Sequence, residues 1–351
     1  MDMDRERAIL TVTLNAAVDT TLVLRDALAV GTSQTAAQVV RLPGGKGVNV
    51  ARVLHTLGRP VRATGLSGGP AARVIADGLA SEGIVADFLP IGGMSRTNVA
   101  LVDGAGDVAG ADPRVTEINE PGPTVTAAEG ERFLARLAGL LPGAPALTLC
   151  GSLPPGLPDD YYARLIDCAR DAGVPALLDT SGRALRPGVT AKPLLVKPNR
   201  AEAAQLIGHE VRDVYDAVTA AEALRALGAS AVALTLGAEG AILVTAGGAW
   251  HGRVAVTGGV SPVGSGDAFL AGLLAGLVGV VARGDSRDIV QALTDEAAAW
   301  EALARAVACG AANTRRRGAG VLDVDDVARL EALAEVTPLR GRVGDERSAG
   351  V

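Results

Sequence analysis

The stretch Ser261-Pro262-Val263-Gly264-Ser265-Gly266-Asp267 stands directly before an apolar run, 268–277, that is long enough to form a helix. Small residues let backbone N–H groups approach an anion closely, and a helix start adds unpaired N–H donors and the positive end of the helix dipole. A carboxylate placed there can stay ionised beside a bound phosphate or a developing oxyanion. The alternative interpretation is a glycine-rich turn in which Asp267 is an ordinary residue of the first helical turn.

The length fits one large α/β domain or two small ones, and the charge predicts a surface that does not attract polyanions. The chain has 351 residues, a net charge of −6 and only 2% aromatic residues, so Ala, Val and Leu must fill the core. A negative balance gives no electrostatic reason to propose nucleic acid or an anionic membrane as a partner. An anionic ligand therefore needs a local site that overcomes a mildly repulsive field.

Neither the cysteines nor the termini indicate a secreted or membrane protein. Cys150, Cys168 and Cys309 are widely spaced in apolar sequence, which predicts free thiols and neither a disulfide framework nor a metal site. The charged segment 1–7 is no signal peptide, and the longest apolar run, 268–282, contains glycines and is too short for a membrane span. We expect a cytoplasmic protein.

Strand and helix patterns alternate along most of the chain. The β-like segments are 8–14, 61–66, 84–90, 146–150, 175–179, 194–197 and 231–236, with a hairpin partner at 241–244. Helical patterns cover 70–81, 127–140, 159–172, 214–227 and 325–334. Repeated βα units predict a parallel sheet with helices on both faces. Polar residues follow the strands at the sheet edge where open α/β sheets bind ligands, which predicts one cleft lined by Asp19, Ser152, Asp179, Asn199, Gly237 and Asp267.

Two further regions have short β-like stretches and no helical signal. They are 20–42 and 96–111, and together they predict a small flap beside the main sheet. Arg96 begins the second region and could reach inward, although a lone arginine is more often solvated.

A second glycine-rich segment, Pro43-Gly44-Gly45-Lys46-Gly47-Val48-Asn49, opens an amphipathic helix. It is no Walker A loop, because Lys46 is followed by glycine instead of Ser or Thr, and it is no G-x-G-x-x-G fingerprint, which argues against a Rossmann dehydrogenase. Backbone N–H groups, one ammonium and one amide at a helix start can cradle an anion or a hydroxyl group. This interpretation is favoured over a turn with a solvated lysine.

The basic run Arg315-Arg316-Arg317 favours a solvated loop over a basic rim beside a nucleotide. The segment after it ends in a Gly- and charge-rich tail, which predicts disorder from residue 339 onward.

Seven motifs, in their order and spacing, resemble those of the ribokinase-like (PfkB-type) carbohydrate kinases, in particular the 1-phosphofructokinase and tagatose-6-phosphate kinase branch. They are Thr13-Leu14-Asn15 with Asp19, Gly44-Gly45-Lys46-Gly47-Val48-Asn49, Gly151-Ser152-Leu153-Pro154-Pro155-Gly156, Lys197-Pro198-Asn199-Arg200-Ala201-Glu202, Leu236-Gly237 with Gly240, Val263-Gly264-Ser265-Gly266-Asp267, and Gly310-Ala311-Ala312-Asn313. The resemblance implies a three-layer α/β/α sandwich with a mostly parallel central sheet. It implies one kinase domain over 8–335, with a β-sheet lid from about 20–42 and 96–111. The segments 1–7 and 339–351, outside this domain, are expected to be disordered tails.

The resemblance also implies ATP- and Mg²⁺-dependent transfer of a phosphoryl group to a sugar hydroxyl. Asp267 would be the base, and the anion hole would come from Gly264, Ser265 and Gly266. The sugar would be held by Asp19, Gly44, Gly45, Lys46, Asn49 and Ser152, with Arg96 on the phosphate that the substrate already carries. The nucleotide would be bound by Lys197, Asn199, Glu202, Thr235, Gly237, Gly240 and Asn313, with Glu202 on Mg²⁺ through water.

The expected substrate is fructose 1-phosphate, and tagatose 6-phosphate and fructose 6-phosphate are close alternatives. Less favoured alternatives are a kinase of an unphosphorylated sugar or a nucleoside, and a non-catalytic sensor of a sugar or a nucleotide. A sensor would have no need of Asp267. Two departures from the family are visible. Asn15-Ala16-Ala17 lacks a usual proline, and Gly31-Thr32-Ser33-Gln34 lacks the basic residues of some phosphosugar kinases. Recognition of substrate charge then rests on Lys46 and Arg96, and the lid could serve as a homodimer contact.

Overall fold

The computed structural model describes residues 8–103 and 115–339. The predicted tail at 1–7, most of the tail at 339–351 and the β-like stretch near 108–111 lie outside the described residues. Residue 339 itself is described, and its placement corrects the predicted start of the tail. The backbone N–H of Leu339 donates to the carbonyl oxygen of Ala249 at 2.8 Å, so this residue lies along the edge of the sheet.

The described strands are β1 (Ile9–Thr13), β2 (Ala17–Leu24), β3 (Ala36–Gly44), β4 (Val61–Ser67), β5 (Val85–Pro90), β6 (Arg96–Val102), β7 (Val115–Asn119), β8 (Leu147–Cys150), β9 (Ala176–Asp179), β10 (Leu195–Val196), β11 (Ala231–Thr235), β12 (Ala241–Thr245), β13 (Gly248–Arg253) and β14 (Glu335–Pro338). The described helices are α1 (Lys46–Thr56), α2 (Gly69–Ser81), α3 (Ala127–Leu140), α4 (Tyr161–Asp171), α5 (Leu185–Thr190), α6 (Arg200–Ile207), α7 (Val214–Leu227), α8 (Ser265–Arg283), α9 (Ile289–Thr294), α10 (Glu296–Thr314) and α11 (Val324–Leu333).

The central sheet has the strand order β14-β13-β12-β11-β10-β9-β8-β1-β4-β5. From β5 to β11 all neighbours are parallel, and β12, β13 and β14 continue the sheet in antiparallel fashion. Strands buried on both faces are continuously apolar, and β1, β8 and β9 are buried along their whole length. The predicted parallel sheet and the hairpin at β12 are confirmed, whereas β13 and β14 were not predicted.

Helices cover both faces of this sheet, and each face has its own apolar core. One core contains side chains of α1, α2, α8, α9, α10 and α11, and the other those of α3, α4, α5, α6 and α7. Of the described helices, α8 has the length and apolar composition of a membrane span, but 72% of its apolar window is buried inside the protein. It packs against α1 and α10. A Cβ at Gly272 would lie 2.8 Å from Cys309, so small residues let α8 and α10 approach closely.

A separate four-stranded sheet, in the order β3-β2-β6-β7, forms the lid. Strand β2 pairs with β6 in parallel and with β3 in antiparallel register, and β7 closes the sheet against β6. The flap predicted from the sequence is present, with two corrections. The fourth described strand begins at Val115, beyond the predicted end at 111. Asp19 also lies within β2 of the lid and not at the end of β1.

Candidate active site

The start of α8 combines a left-handed glycine with unpaired amides. Gly264 precedes the helix with φ of 82°, and a Cβ there would lie 2.7 Å from the Cα of Ala319, so the turn accepts only glycine. The N–H of Ala268 closes the first turn onto the carbonyl of Gly264. Among the described residues, the N–H groups of Gly266 and Asp267 have no acceptor. Two donors at a positive helix end are therefore available to an anion.

The carboxylate of Asp267 is buried beside these amides. Its Oδ2 accepts a hydrogen bond of 2.8 Å from Nδ2 of Asn49, a residue 218 positions away in the chain. Burial raises the pKa of Asp267 to about 7, with the charge of Asp179 adding to the rise while Lys46, Asn49 and Lys197 oppose it. A carboxyl group with a pKa near neutrality can accept a proton at physiological pH.

Two lysines share one buried carboxylate in the floor of the site. Asp179, which is fully buried at the end of β9, accepts from Nζ of Lys46 at 2.9 Å and lies 3.2 Å from Nζ of Lys197. Burial opposes ionisation of Asp179, but the two ammonium groups lower its pKa below the ordinary value. Burial would likewise lower the pKa of Lys46, but the charges of Asp179, Asp267 and Glu202 raise it. Asp179 and Lys46 are therefore charged at neutral pH.

On the lid side, Asp19 is fixed by Asn98 and by the backbone. Its Oδ1 accepts from Nδ2 of Asn98 at 2.9 Å, and its carboxyl carbon lies 2.1 Å from where a Cβ of Gly44 would be. Burial raises the pKa of Asp19, against the hydrogen bond from Asn98 and the charge of Arg96. Arg96 donates to the carbonyl oxygens of Asn15 at 3.2 Å and Glu120 at 3.1 Å. The lid thus presents a carboxylate, an amide and a guanidinium together.

Asp267, Asn49, Lys46 and the lid residues Asp19, Asn98 and Arg96 line one cleft of about 410 Å³ between the central sheet and the lid, and Asp179 and Lys197 lie outside its lining. From the predicted set, it contains Asp19, Gly45, Lys46, Asn49, Arg96, Ser152, Gly264, Gly266 and Asp267. Gly44 lies behind Asp19 outside the lining. Ser265 also lies outside it, and its hydroxyl oxygen is 3.3 Å from Nδ2 of Asn313.

The residues predicted for the nucleotide gather beside this cleft, at the ends of β10 and β11. Asn199 and Glu202 cap α6 reciprocally, each side chain accepting from the other's backbone N–H at 2.9 and 2.8 Å. Thr235 pairs with Asn199 in a parallel bridge, and the turn that follows closes where Leu236 donates to the carbonyl of Gly240. Gly237 lies within the same turn. Lys197 stands between this group and the cleft, since its Nζ is 3.3 Å from where a Cβ of Gly266 would be.

Asn313, which was predicted to border the adenine and ribose, is held by hydrogen bonds within the protein. It is fully buried, and its Nδ2 donates to the carbonyl of Val263 at 2.8 Å while its Oδ1 accepts from the N–H of Gly320 at 2.9 Å. Its amide is therefore occupied in joining the turn before α8 to the loop after α10.

Sequence reasoning placed Asp179 at the cleft edge but gave it no role. It also gave no role to several residues that line the cleft, which include Asn98, Asn119, Ser181 and Ser261. For Arg317 it favoured a solvated loop over a basic rim beside a nucleotide, whereas this residue lines the cleft. A carboxylate directly after a strand was the available signal for Asp179. For Asn98, Asn119 and Arg317 no local signal was available, because their positions depend on how the lid and the loop after α10 fold back.

Comparison with known proteins gives a consistent result over the whole chain. Residues 12–325 match the pfkB family of carbohydrate kinases. A structure from Staphylococcus aureus, solved as a candidate phosphofructokinase, is 27% identical with a TM-score of 0.74, over 95% of this chain and 100% of that one. A possible 1-phosphofructokinase from Thermotoga maritima is 25% identical with a TM-score of 0.78, over 95% and 100%.

Phosphofructokinase-2 from Escherichia coli, in a complex with potassium, is also 25% identical with a TM-score of 0.78, over 93% of this chain and 98% of that chain. Ribokinase from Giardia lamblia, at 16% identity and a TM-score of 0.73 over 92% and 98%, shares the fold. The fold is therefore the ribokinase-like α/β fold.

Proposed function

The chain belongs to the pfkB family of carbohydrate kinases, which are ATP-dependent sugar kinases, and we propose that its acceptor is a ketohexose phosphate, first of all fructose 1-phosphate. The product is then fructose 1,6-bisphosphate. The observation that carries the proposal is the buried carboxylate of Asp267 beside two unpaired amides, in the same cleft as Lys46 and Arg96. A base, an anion site and cationic groups for a charged sugar thus share one cavity.

Asp267 is the general base of the proposed reaction. Asn49 holds Oδ2 of this carboxylate, which leaves Oδ1 to accept the proton of the attacking hydroxyl group. A pKa of about 7 keeps a large ionised fraction at neutral pH and still makes the group basic enough to take a proton. Asp19 and Asn98 in the lid are placed to bind other hydroxyl groups of the sugar, and Arg96 to bind its phosphate.

The start of α8 is the proposed anion hole. The free N–H groups of Gly266 and Asp267 point to where negative charge develops, and preorganised donors of this kind stabilise a transition state without reorganisation. Lys197 adds a positive charge next to Gly266. Phosphoryl transfer needs mainly such positioning and neutralisation.

The predicted nucleotide residues fit a nucleotide with Mg²⁺. Among the described residues no cluster of His, Cys, Asp and Glu could hold a metal ion by itself. This is no objection to Mg²⁺, because this ion takes few protein ligands beside water and phosphate. Glu202 caps α6 with Oε2, and its Oε1 has no hydrogen-bond partner in the described part of the chain. Lys197, Asn199 and Glu202 would hold the phosphates, with Thr235, Gly237 and Gly240 at the base and ribose. When bound, MgATP supplies the phosphoryl group and neutralises its charge.

A panel of acceptors in a coupled ADP-release assay tests the proposal. We expect turnover of fructose 1-phosphate, fructose 6-phosphate or tagatose 6-phosphate above that of fructose, ribose and a nucleoside. Turnover of ribose or a nucleoside without turnover of any phosphosugar would overturn it. Nucleotide binding without any turnover would favour a sensor.

The role of Asp267 is tested separately by Asp267→Asn. Loss of a general base lowers kcat by about 10²–10⁴-fold, and nucleotide binding measured by calorimetry should survive. The matched control is Asp167→Asn on α4, whose partner Arg170 is exposed. If the Asp267 variant retained wild-type kcat, the assignment of the base would be wrong.

We also propose that the lid mediates a homodimer. Strands β3 and β7 expose Val39 and Ile118, and apolar side chains in an exposed sheet favour association. One neighbour, phosphofructokinase-2 from Escherichia coli, has been solved in a tetrameric form. The molar mass in solution, measured by light scattering, tests the assignment, and a monomer would contradict it. The cytoplasmic location expected from the sequence stays a prediction.

A further inference from the structure

Three consecutive arginines after α10 have different partners. Arg315 forms an ion pair with Asp326 at 2.7 Å, and Arg316 forms one with Asp323 at 3.0 Å. Arg317 instead donates to a neutral amide, with Nη1 2.9 Å from Oε1 of Gln38 on lid strand β3. Among the described residues it has no carboxylate partner. Of the three, only Arg317 lines the cleft.

The loop that carries Arg317 is fixed at the mouth of the cleft. A Cβ at Gly318 would lie 2.9 Å from Cδ1 of Leu42 in the lid, and one at Gly320 would lie 2.8 Å from the backbone oxygen of Asn49 in α1. The N–H of Gly320 is held by Asn313. The loop therefore packs against the lid on one side and against α1 on the other. These contacts fix the backbone that carries Arg317.

The other cationic groups at the cleft already have protein partners. Lys46 and Lys197 share the carboxylate of Asp179. Arg96 donates two of its five N–H groups to backbone carbonyl oxygens, which leaves it three. A guanidinium has five N–H donors in a fixed fork, and the hydrogen bond to Gln38 uses one of them. Arg317 thus combines a full positive charge with free donors, the combination that binds phosphate well.

We propose that Arg317 is a specificity-determining residue, which binds together with Arg96 the phosphate group that the sugar substrate already carries. It supplies the second basic group that the lid segment 31–34 lacks, from a different part of the chain. The inference rests on the proposed phosphosugar kinase function. It gives a role to Arg317, for which the sequence analysis favoured a solvated loop.

The test compares Arg317→Gln with Arg316→Gln, the same change one residue earlier and outside the cleft. We expect Arg317→Gln to raise the KM for the phosphosugar that the wild-type enzyme uses best by about tenfold or more, because a charge-assisted hydrogen bond is lost. The KM for ATP and kcat should change less than twofold. Arg317→Lys keeps the charge and should recover part of the loss, and Arg316→Gln should match the wild type.

Gln38→Ala distinguishes two roles of Arg317, which are binding of the substrate phosphate and a structural contact with lid strand β3. It removes the partner of Arg317 without removing the charge, so the KM for the phosphosugar should stay within about twofold of the wild type. The proposal is overturned if the KM for the phosphosugar is unchanged in Arg317→Gln, if the KM for ATP rises as much, or if Gln38→Ala or Arg316→Gln has the same effect. A wild-type enzyme without turnover of any phosphosugar would instead refute the proposed function itself.

Discussion

Replacement of Asp179 by asparagine isolates the electrostatic role of the buried ion network. The substitution preserves size and shape but removes the negative charge between two ammonium groups. The side chain of Asp179 is fully buried, that of Lys197 is 4% exposed and that of Lys46 is 36% exposed. Lys46 can turn partly toward water in the variant, whereas the charge of Lys197 stays buried without a counterion.

The expected loss of stability follows from this geometry. Removal of one partner from a buried ion pair costs about 3–5 kcal/mol, and the exposure of Lys46 places the value at the lower end of that range. With an unfolding entropy of about 2.1 cal/mol/K per residue over 351 residues, a loss of about 3 kcal/mol should lower the melting temperature by about 4 °C.

Thermal and urea unfolding at pH 7 measure this loss, with Asp167→Asn as the matched control. Asp167 and its partner Arg170 are about half exposed, so that change should stay within about 0.5 kcal/mol. Burial acts to raise the pKa of Asp179, but the charges of Lys197 and Lys46 hold this pKa below 3.8. The stabilisation is therefore fully present above pH 3.8 and is lost as the pH falls below that value. An Asp179 variant as stable as the control at pH 7 would refute the reasoning.

Two further predictions concern the reacting groups. Because Asp267 must be ionised, kcat/KM should rise tenfold per pH unit up to about pH 7 and then level off; a profile flat from pH 5.5 to 8 would contradict the assignment. Gly44→Ala places a Cβ within 2.2 Å of the carboxylate of Asp19 and should raise the KM for the sugar about tenfold in initial-rate assays. The control is Gly139→Ala, in open space on α3, which should stabilise the fold by up to about 1 kcal/mol. Equal KM values for the sugar in the two variants would rule out the steric argument.

Much of the fold was predictable because local signals and the sheet periodicity agree. Helices α3 and α7 begin and end where the sequence predicts, and each begins at a side-chain cap, Thr126 with Glu129 and Asp213. The parallel strand pattern places carboxyl ends at one edge of the sheet. For this reason Ser152 and Asp267 could be assigned to one cleft from the strand pattern, and both line it. The family resemblance added Asn49, and the structure brings this residue into contact with Asp267.

The remainder could not be predicted because it depends on pairing between distant segments. Strand β7 is largely exposed and polar. Strand β14 pairs with β13, which lies more than 80 residues earlier in the chain. Neither has a strong pattern of its own. Likewise, no local feature tells that Lys46 pairs with Asp179, or that Arg317 faces the cleft while Arg316 pairs with Asp323. Tertiary distances alone decide which charges meet.

The ion network and the base cannot be understood independently of each other. Burial by itself would keep Asp267 protonated, and Asp179 adds to that tendency through its negative charge. The same Asp179 holds Lys46 and Lys197 in place, and both of these lower the pKa of Asp267. A carboxylate buried without nearby cations would be too weakly ionised to act at neutral pH, and one fully paired with a cation would be too weak a base. The shared carboxylate of Asp179 keeps the lysines near Asp267 without letting either form an ion pair with it, and this leaves the pKa of the base between the two extremes.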